Sequence, residues 1–249
     1  MRNGFTLVEL SIVLVIIGLL IGGILVGQSL IESAKMNKLV SNFKQYEVAA
    51  NQYKTKFKSW PGDTPSSTGF FSGNCSVNCY GNADGISNEA SSAFRFVHHL
   101  QWLGMIKTNF STTVDMTSYE TYASMSGKVI PNFGVDKAGV VADTSSHNLS
   151  TEVPYCRVAL RMGQSDLTTP LNYPWRDFFR GGIFDGQDSF ALDKKIDDGK
   201  PNSGYLLTIA HTNQCNSGSG GTSYFKYGGT ASYNSNSTQT DCLVWYCLK

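Results

Sequence analysis

Apolar positions in the first sixty residues follow two patterns in turn. From Leu10 to Val26 the chain carries no charge, and Ser11 is the only hydroxyl. At about 1.5 Å per residue, the roughly 23 residues from Phe5 to Gly27 make a helix of about 34 Å, enough for a hydrocarbon core of about 30 Å. Past it, Leu39, Phe43, Tyr46, Ala50, Tyr53, Phe57 and Trp60 recur at spacings of four and three, the stripe of an amphipathic helix. Lys38, Lys44, Glu47, Lys54, Lys56 and Lys58 fall on the other face, and its lysines read as solvated. No proline occurs between Met1 and Trp60, and no glycine between Gly27 and Gly62. One helix is therefore predicted from Phe5 to about Lys58, about 80 Å long. The stripe also suits a plain coiled coil, against which stand its three heptads and few acidic partners. Pro61 and Gly62 end it.

Beyond residue 60 the pattern changes to shorter elements. SNEASSAFRFVHHLQWLG (87–104) predicts a helix capped by Ser87 or Asn88, with Ala93, Phe96, Val97, Leu100 and Leu103 inward and Gly104 as its stop. His98 and His99 are adjacent, so they point about 100° apart, and read as helix surface and core edge. Strands are predicted at Val129–Phe133, Tyr155–Met162, Tyr205–Ala210 and Cys242–Leu248. DSFALDKKIDDGKPNSG (188–204) predicts a short helix ending in a Gly-Lys-Pro-Asn turn. The segment 61–249 is long enough for one domain with a real core. The formal charge of +1 supplies no basic footprint for nucleic acid, and no partner of that kind is expected.

A membrane helix with one acid at its start needs explaining, because a lone carboxylate there is costly and is normally paired or functional. It either reaches interfacial water or meets a positive partner from another chain. A cleaved secretory signal is the rival for the whole segment. Its apolar core would be shorter, and it would end in a clean small-x-small site, which Gly22, Gly23 and Gly27 do not form.

Gly4 to Leu10, G-F-T-L-V-E-L, closely resembles the processing signature of type IV pilins and of the pseudopilins of type II secretion. The resemblance implies an α+β fold: a long N-terminal helix, transmembrane in its first half, packed on a C-terminal antiparallel β-sheet head with insertions. It implies a leader at 1–4, an assembly helix at 5–27, an amphipathic continuation at 28–60 and a head at 61–249. Prepilin peptidase would cut after Gly4, Phe5 would become the N-methylated terminus, and Glu9 would pair with a neighbour's terminal amine during assembly. Partners implied are other pilin-like subunits in a homo- or hetero-polymer, the inner-membrane assembly platform and membrane lipid. The expected location is the bacterial inner membrane, single-pass with a periplasmic head, and then the filament. Charge alone leaves the orientation open, since Arg2 precedes the helix while Lys35 and Lys38 follow it. The family often carries a proline near the middle of this helix. None is present, and the Gly18/Gly22 and Gly23/Gly27 spacings stand for close helix approach or for local melting on assembly.

In an exported head, six cysteines suggest three disulfides. Spacing favours Cys75–Cys79 and Cys242–Cys247, leaving Cys156–Cys215, among fifteen possible pairings. The resemblance also raises calcium in the head. Asp84 sits in a loop that fails the calcium-loop pattern at both ends, while Asp193 with Asp197 and Asp198 forms a second acidic cluster; each competes with a turn-and-cap reading, and no other cofactor is expected. No nucleophile elbow, nucleotide loop or Ser/His/Asp spacing is present, so the chain reads as a structural subunit, not an enzyme. The alternatives are a ligand-binding module or adhesin at a filament tip, with the Tyr/Ser/Gly/Asn-rich run Ser217–Ser237 as its surface, or a membrane-anchored exported enzyme.

Overall fold

The computed structural model describes residues 6–65, 92–108, 110, 131–135, 138–143, 156, 158–164, 182–210, 215, 231–236, 240 and 242–249. By internal contacts the chain divides into two units, Met1–Leu39 and Val40–Lys249. Helix α1, Leu7–Phe57, supplies the described residues of the first unit and the opening of the second.

In the first unit, the large apolar side chains from Leu7 to Ile31 are 46–84% exposed. α1 is long and apolar enough there to cross a membrane. It continues as α-helix through Gly18, Gly22, Gly23 and Gly27, and a Cβ at any of these would meet nothing within 4 Å. The melting raised by the double glycine concerns assembly, and this helix is unbroken.

The second unit is built around the rest of α1. Phe43, Tyr46, Ala50, Tyr53 and Trp60 are buried, so the apolar stripe is the core face as expected. Lys58, at φ 57°, donates its N–H to the Lys54 carbonyl at 2.9 Å, closing the helix in a left-handed cap. Trp60 to Asp63 then form a type II turn: the Asp63 N–H bonds the Trp60 carbonyl at 3.1 Å, and Gly62 takes the φ of 88° that such a turn requires.

Helix α2 is described over Ser92–Trp102, and its expected caps lie outside the described residues. Strand β1 is Ala138–Asp143, β2 Ala159–Gln164, helix α3 Gly186–Ile196, β3 Leu206–Ala210 and β4 Cys242–Cys247. The sheet is antiparallel, in the order β1-β2-β4-β3. This is the α+β arrangement that the resemblance implied.

β4 is central and buried along its whole length, which explains why CLVWYC shows no polar alternation. On the face towards α1, the Tyr246 ring lies 5.3 Å from that of Phe43. On the other, Arg161 of β2 stands over the Trp245 ring at 5.1 Å. Outward N–H groups of both edge strands find partners. Val140 N–H bonds the Pro131 carbonyl, and Thr208 N–H bonds the Pro201 carbonyl, each at 2.8 Å.

Several expectations are corrected. Phe133 is not in a strand: at φ 52° it turns the chain between Pro131 and Gly134, whose N–H bonds the Asn132 side chain at 3.0 Å. Val129 and Ile130 lie outside the described residues. Glu47, on the face opposite the stripe, is buried. The Tyr246 hydroxyl donates to its Oε2 at 2.6 Å and the Lys44 ammonium at 3.1 Å, while Lys249 N–H reaches Oε1 at 3.3 Å. Burial works to raise the Glu47 pKa, but these bonds and the Lys44 charge outweigh it and hold the carboxyl below its usual range. His98 and His99 are both buried. His99 Nδ1 accepts the Gly62 N–H at 3.0 Å, which puts the proton of a neutral ring on Nε2 and ties α2 to the turn after α1.

The disulfides also differ from the expected pairing. Cys242 and Cys247 are the two ends of β4. Five steps of extended chain separate them by about 17 Å and put them on opposite faces of the sheet, so they cannot bond each other. Instead Cys156 joins Cys247 and Cys215 joins Cys242, each with Cα atoms 5.3 Å apart. Cys75 and Cys79 lie outside the described residues.

Candidate functional site

Two places gather chemically capable side chains. The first is the start of α1. The Glu9 carboxylate folds back over the first turn, its Oε2 accepting the Thr6 backbone N–H at 2.9 Å and the Thr6 hydroxyl at 2.8 Å. Glu9 N–H in turn donates to Thr6 Oγ1 at 3.3 Å. This is a capping box: the T-x-x-E spacing satisfies two helix-start donors reciprocally. Glu9 thus has one oxygen committed within its own chain and the other, Oε1, open among the described residues. Gly4 and Phe5 lie outside the described residues. Thr6 is the participant that the sequence reading passed over, although the T-x-x-E signature was available to find it.

The second place is in the head. Asp193, Asp197 and Asp198 each offer one oxygen within 4.8 Å of the others. α3 creates the cluster: Asp185 caps its start by accepting Asp188 N–H at 2.8 Å, and Asp193 to Asp198 form its exit. Asp197 Oδ2 accepts the backbone N–H groups of Tyr205 and Leu206, the latter at 3.2 Å. Asp198 Oδ1 accepts Lys200 N–H at 2.9 Å, and Oδ2 the Ser203 hydroxyl at 2.5 Å. A Cβ at Gly204, φ 71°, would collide with the Asp197 carboxylate, so the loop and the acid fit only with glycine there. Asp193 is fully buried; its Oδ1 accepts Gly199 N–H at 3.3 Å and its Oδ2 the Tyr233 hydroxyl at 2.8 Å. Thr208 of β3 lies 2.8 Å from that same hydroxyl.

Calcium takes six to eight oxygens. Here every carboxylate already receives protein hydrogens, and the bonds present are those of a cap and a turn. Asp84 lies outside the described residues. Tyr233 and Thr208 have no nearby position in sequence that could have linked them to Asp193; β3 and the segment 231–236 converge on it only in the fold.

Burial pushes the Asp193 pKa up to about 7, opposed by the bonds from Tyr233 and Gly199 and aided by the charges of Asp198 and Asp197. A carboxyl raised in the folded state binds its proton more tightly there than in the unfolded chain. Its stabilising contribution is full below about pH 4 and fades as pH rises to about 7, a change of a few kcal/mol. Asp193→Asn is expected to flatten that slope. Thermal unfolding of the full chain in non-ionic detergent between pH 4 and 8 measures it, and parallel profiles for the two proteins would contradict the assignment.

No curated protein and no solved structure matches the chain. Its first residues do have relatives: residues 1–25 match the family model described as the prokaryotic N-terminal methylation motif, and with it the chain carries the signature of type IV pilin and pseudopilin prepilins.

Proposed function

We propose that this chain is a structural subunit of a type IV pilus or of a type II secretion pseudopilus. It is made as a precursor, cut by prepilin peptidase after Gly4 and N-methylated at Phe5. The mature helix then enters a filament in which Glu9 pairs with the terminal amine of a neighbour. The observation that carries this reading is the motif at 1–25 placed directly on a helix whose large apolar residues from Leu7 to Ile31 are exposed. Such a surface calls for lipid before assembly and neighbouring helices after it. The head, with its disulfides, lies outside the cytoplasm in this reading, and its role is structural.

Mass spectrometry of the protein purified from membranes tests the processing. The expected mass lacks Met1–Gly4 and includes one added methyl group on Phe5. An intact Met1, or an N-terminus near Gly27, would overturn the proposal.

A further inference from the structure

His99 of α2 is fully buried where that helix meets the end of α1 and the turn that follows it. Two groups meet its Nδ1. The Gly62 N–H donates to it at 3.0 Å, and the Tyr53 hydroxyl of α1 lies 3.1 Å away. The Tyr53 oxygen also meets the Thr64 hydroxyl, and Thr64 lies 3.1 Å from the hydroxyl of half-buried Ser59. Three hydroxyls therefore run in a row from the imidazole to Ser59, and in each pair either oxygen can be the donor.

A backbone N–H can only donate, so Gly62 fixes the neutral state: Nδ1 is bare and accepts. A second proton on the ring would make Nδ1 a donor and set two N–H groups against each other. The row of hydroxyls gives that proton another partner. The Tyr53 oxygen can accept from Nδ1 once its own hydrogen turns to Thr64, and that of Thr64 to Ser59, with no heavy atom moved. Gly62 has no such choice, and its N–H loses its acceptor. The charged and titratable groups around the ring pull in both directions. The turn brings buried Asp63, which favours a second proton, while Arg95, one helical turn before His99 and also buried, opposes it; His98 is the neighbouring residue. Tyr53 is the contribution of α1, and β1, which packs on α2, carries none between Ala138 and Ala142. We infer that His99 is an acid-operated latch on the end of α1: with one ring proton it holds the turn through the Gly62 N–H, and with two it binds Tyr53 instead and lets the turn go. The latch is an exchange between two hydrogen-bond arrangements of the same residues, and it operates whatever the chain assembles with.

The test is hydrogen exchange at the Gly62 amide, read by NMR on the full chain in non-ionic detergent with nitrogen-labelled glycine, threonine and histidine. The range runs from about pH 7.5 to about pH 4.5, across the ordinary titration of imidazole. At the upper end the His99 ring should carry its proton on Nε2 alone. At the lower end, with the ring doubly protonated, protection of Gly62 should be about tenfold weaker once the intrinsic pH dependence of exchange is removed. The Thr208 amide, bonded to the Pro201 carbonyl at the sheet edge, should keep its protection. His99→Asn puts a non-titrating amide oxygen near the place of Nδ1, so Gly62 should stay protected throughout. Tyr53→Phe removes the oxygen that receives the Nδ1 proton and should move the release about one pH unit lower. A proton already on Nδ1 at the upper end, Gly62 protection that holds to the lower end, an equal loss at Thr208, or release of Tyr53→Phe at the unaltered pH would each overturn the inference. None of these four outcomes needs the His99 variant to fold.

Discussion

Replacing Cys156 and Cys247 together by serine is expected to destabilise the head by about 4 to 5 kcal/mol, and replacing Cys215 and Cys242 by about 3 to 4 kcal/mol. Both cross-links end on β4, the strand that pairs with β2 on one side and β3 on the other. The first closes a separation of 91 residues and the second one of 27. In the chain-entropy account the longer loop leaves more freedom in the unfolded state when it is opened, and the ratio of these lengths corresponds to about 1 kcal/mol. All four cysteines are buried, so serine adds a hydroxyl without water in either pair and leaves the order unchanged. Denaturant unfolding of the oxidised full chain in non-ionic detergent, followed by near-ultraviolet circular dichroism, measures both losses. A larger loss from the shorter link would show that local strain or residual structure governs, and not loop closure.

That pairing also illustrates which parts of the molecule could be read from its residues. α1 was legible because its 3.6-residue period and its lack of proline are properties of one segment, and burial of Phe43, Tyr46, Ala50 and Tyr53 follows the stripe. α3, β3 and β4 stood out for similar local reasons. β1 did not: the strand character of AGVVAD depends on β2 lying beside it. The predicted strand Tyr155–Met162 overlaps β2, which lies between β1 and β4 and is buried at Ala159, Leu160, Arg161 and Met162. In the 131–135 stretch, Pro131 and Gly134 were the better signal than the apolar residues beside them. Spacing made Cys242–Cys247 attractive until β4 was extended between them. The N-terminal methylation motif was legible because its signature is written in consecutive residues. The Asp193–Tyr233–Thr208 group was not, since three separate segments meet there.

Glu9→Gln is expected to reduce filament yield about a hundredfold while leaving the protein in the membrane. The reasoning turns on what glutamine keeps. Its side-chain oxygen can still accept the Thr6 N–H, so the capping box survives. Only the charge is lost, and with it the partner for a neighbour's ammonium. An unpaired cation at membrane depth costs about 2.5 to 3.5 kcal/mol, which is about a hundredfold in equilibrium population. Thr6→Val makes the complementary change: it removes the hydroxyl that Glu9 contacts at 2.8 Å, weakening the helix start by about 1 kcal/mol, but leaves the carboxylate charged. Its filaments should persist within about tenfold of the unaltered yield. Electron microscopy of sheared filaments, with immunoblots of the membrane fraction, separates the two effects. If Glu9→Gln assembled normally and Thr6→Val did not, the acid would be a helix cap alone. The open Oε1 would then have no role in joining one subunit to the next.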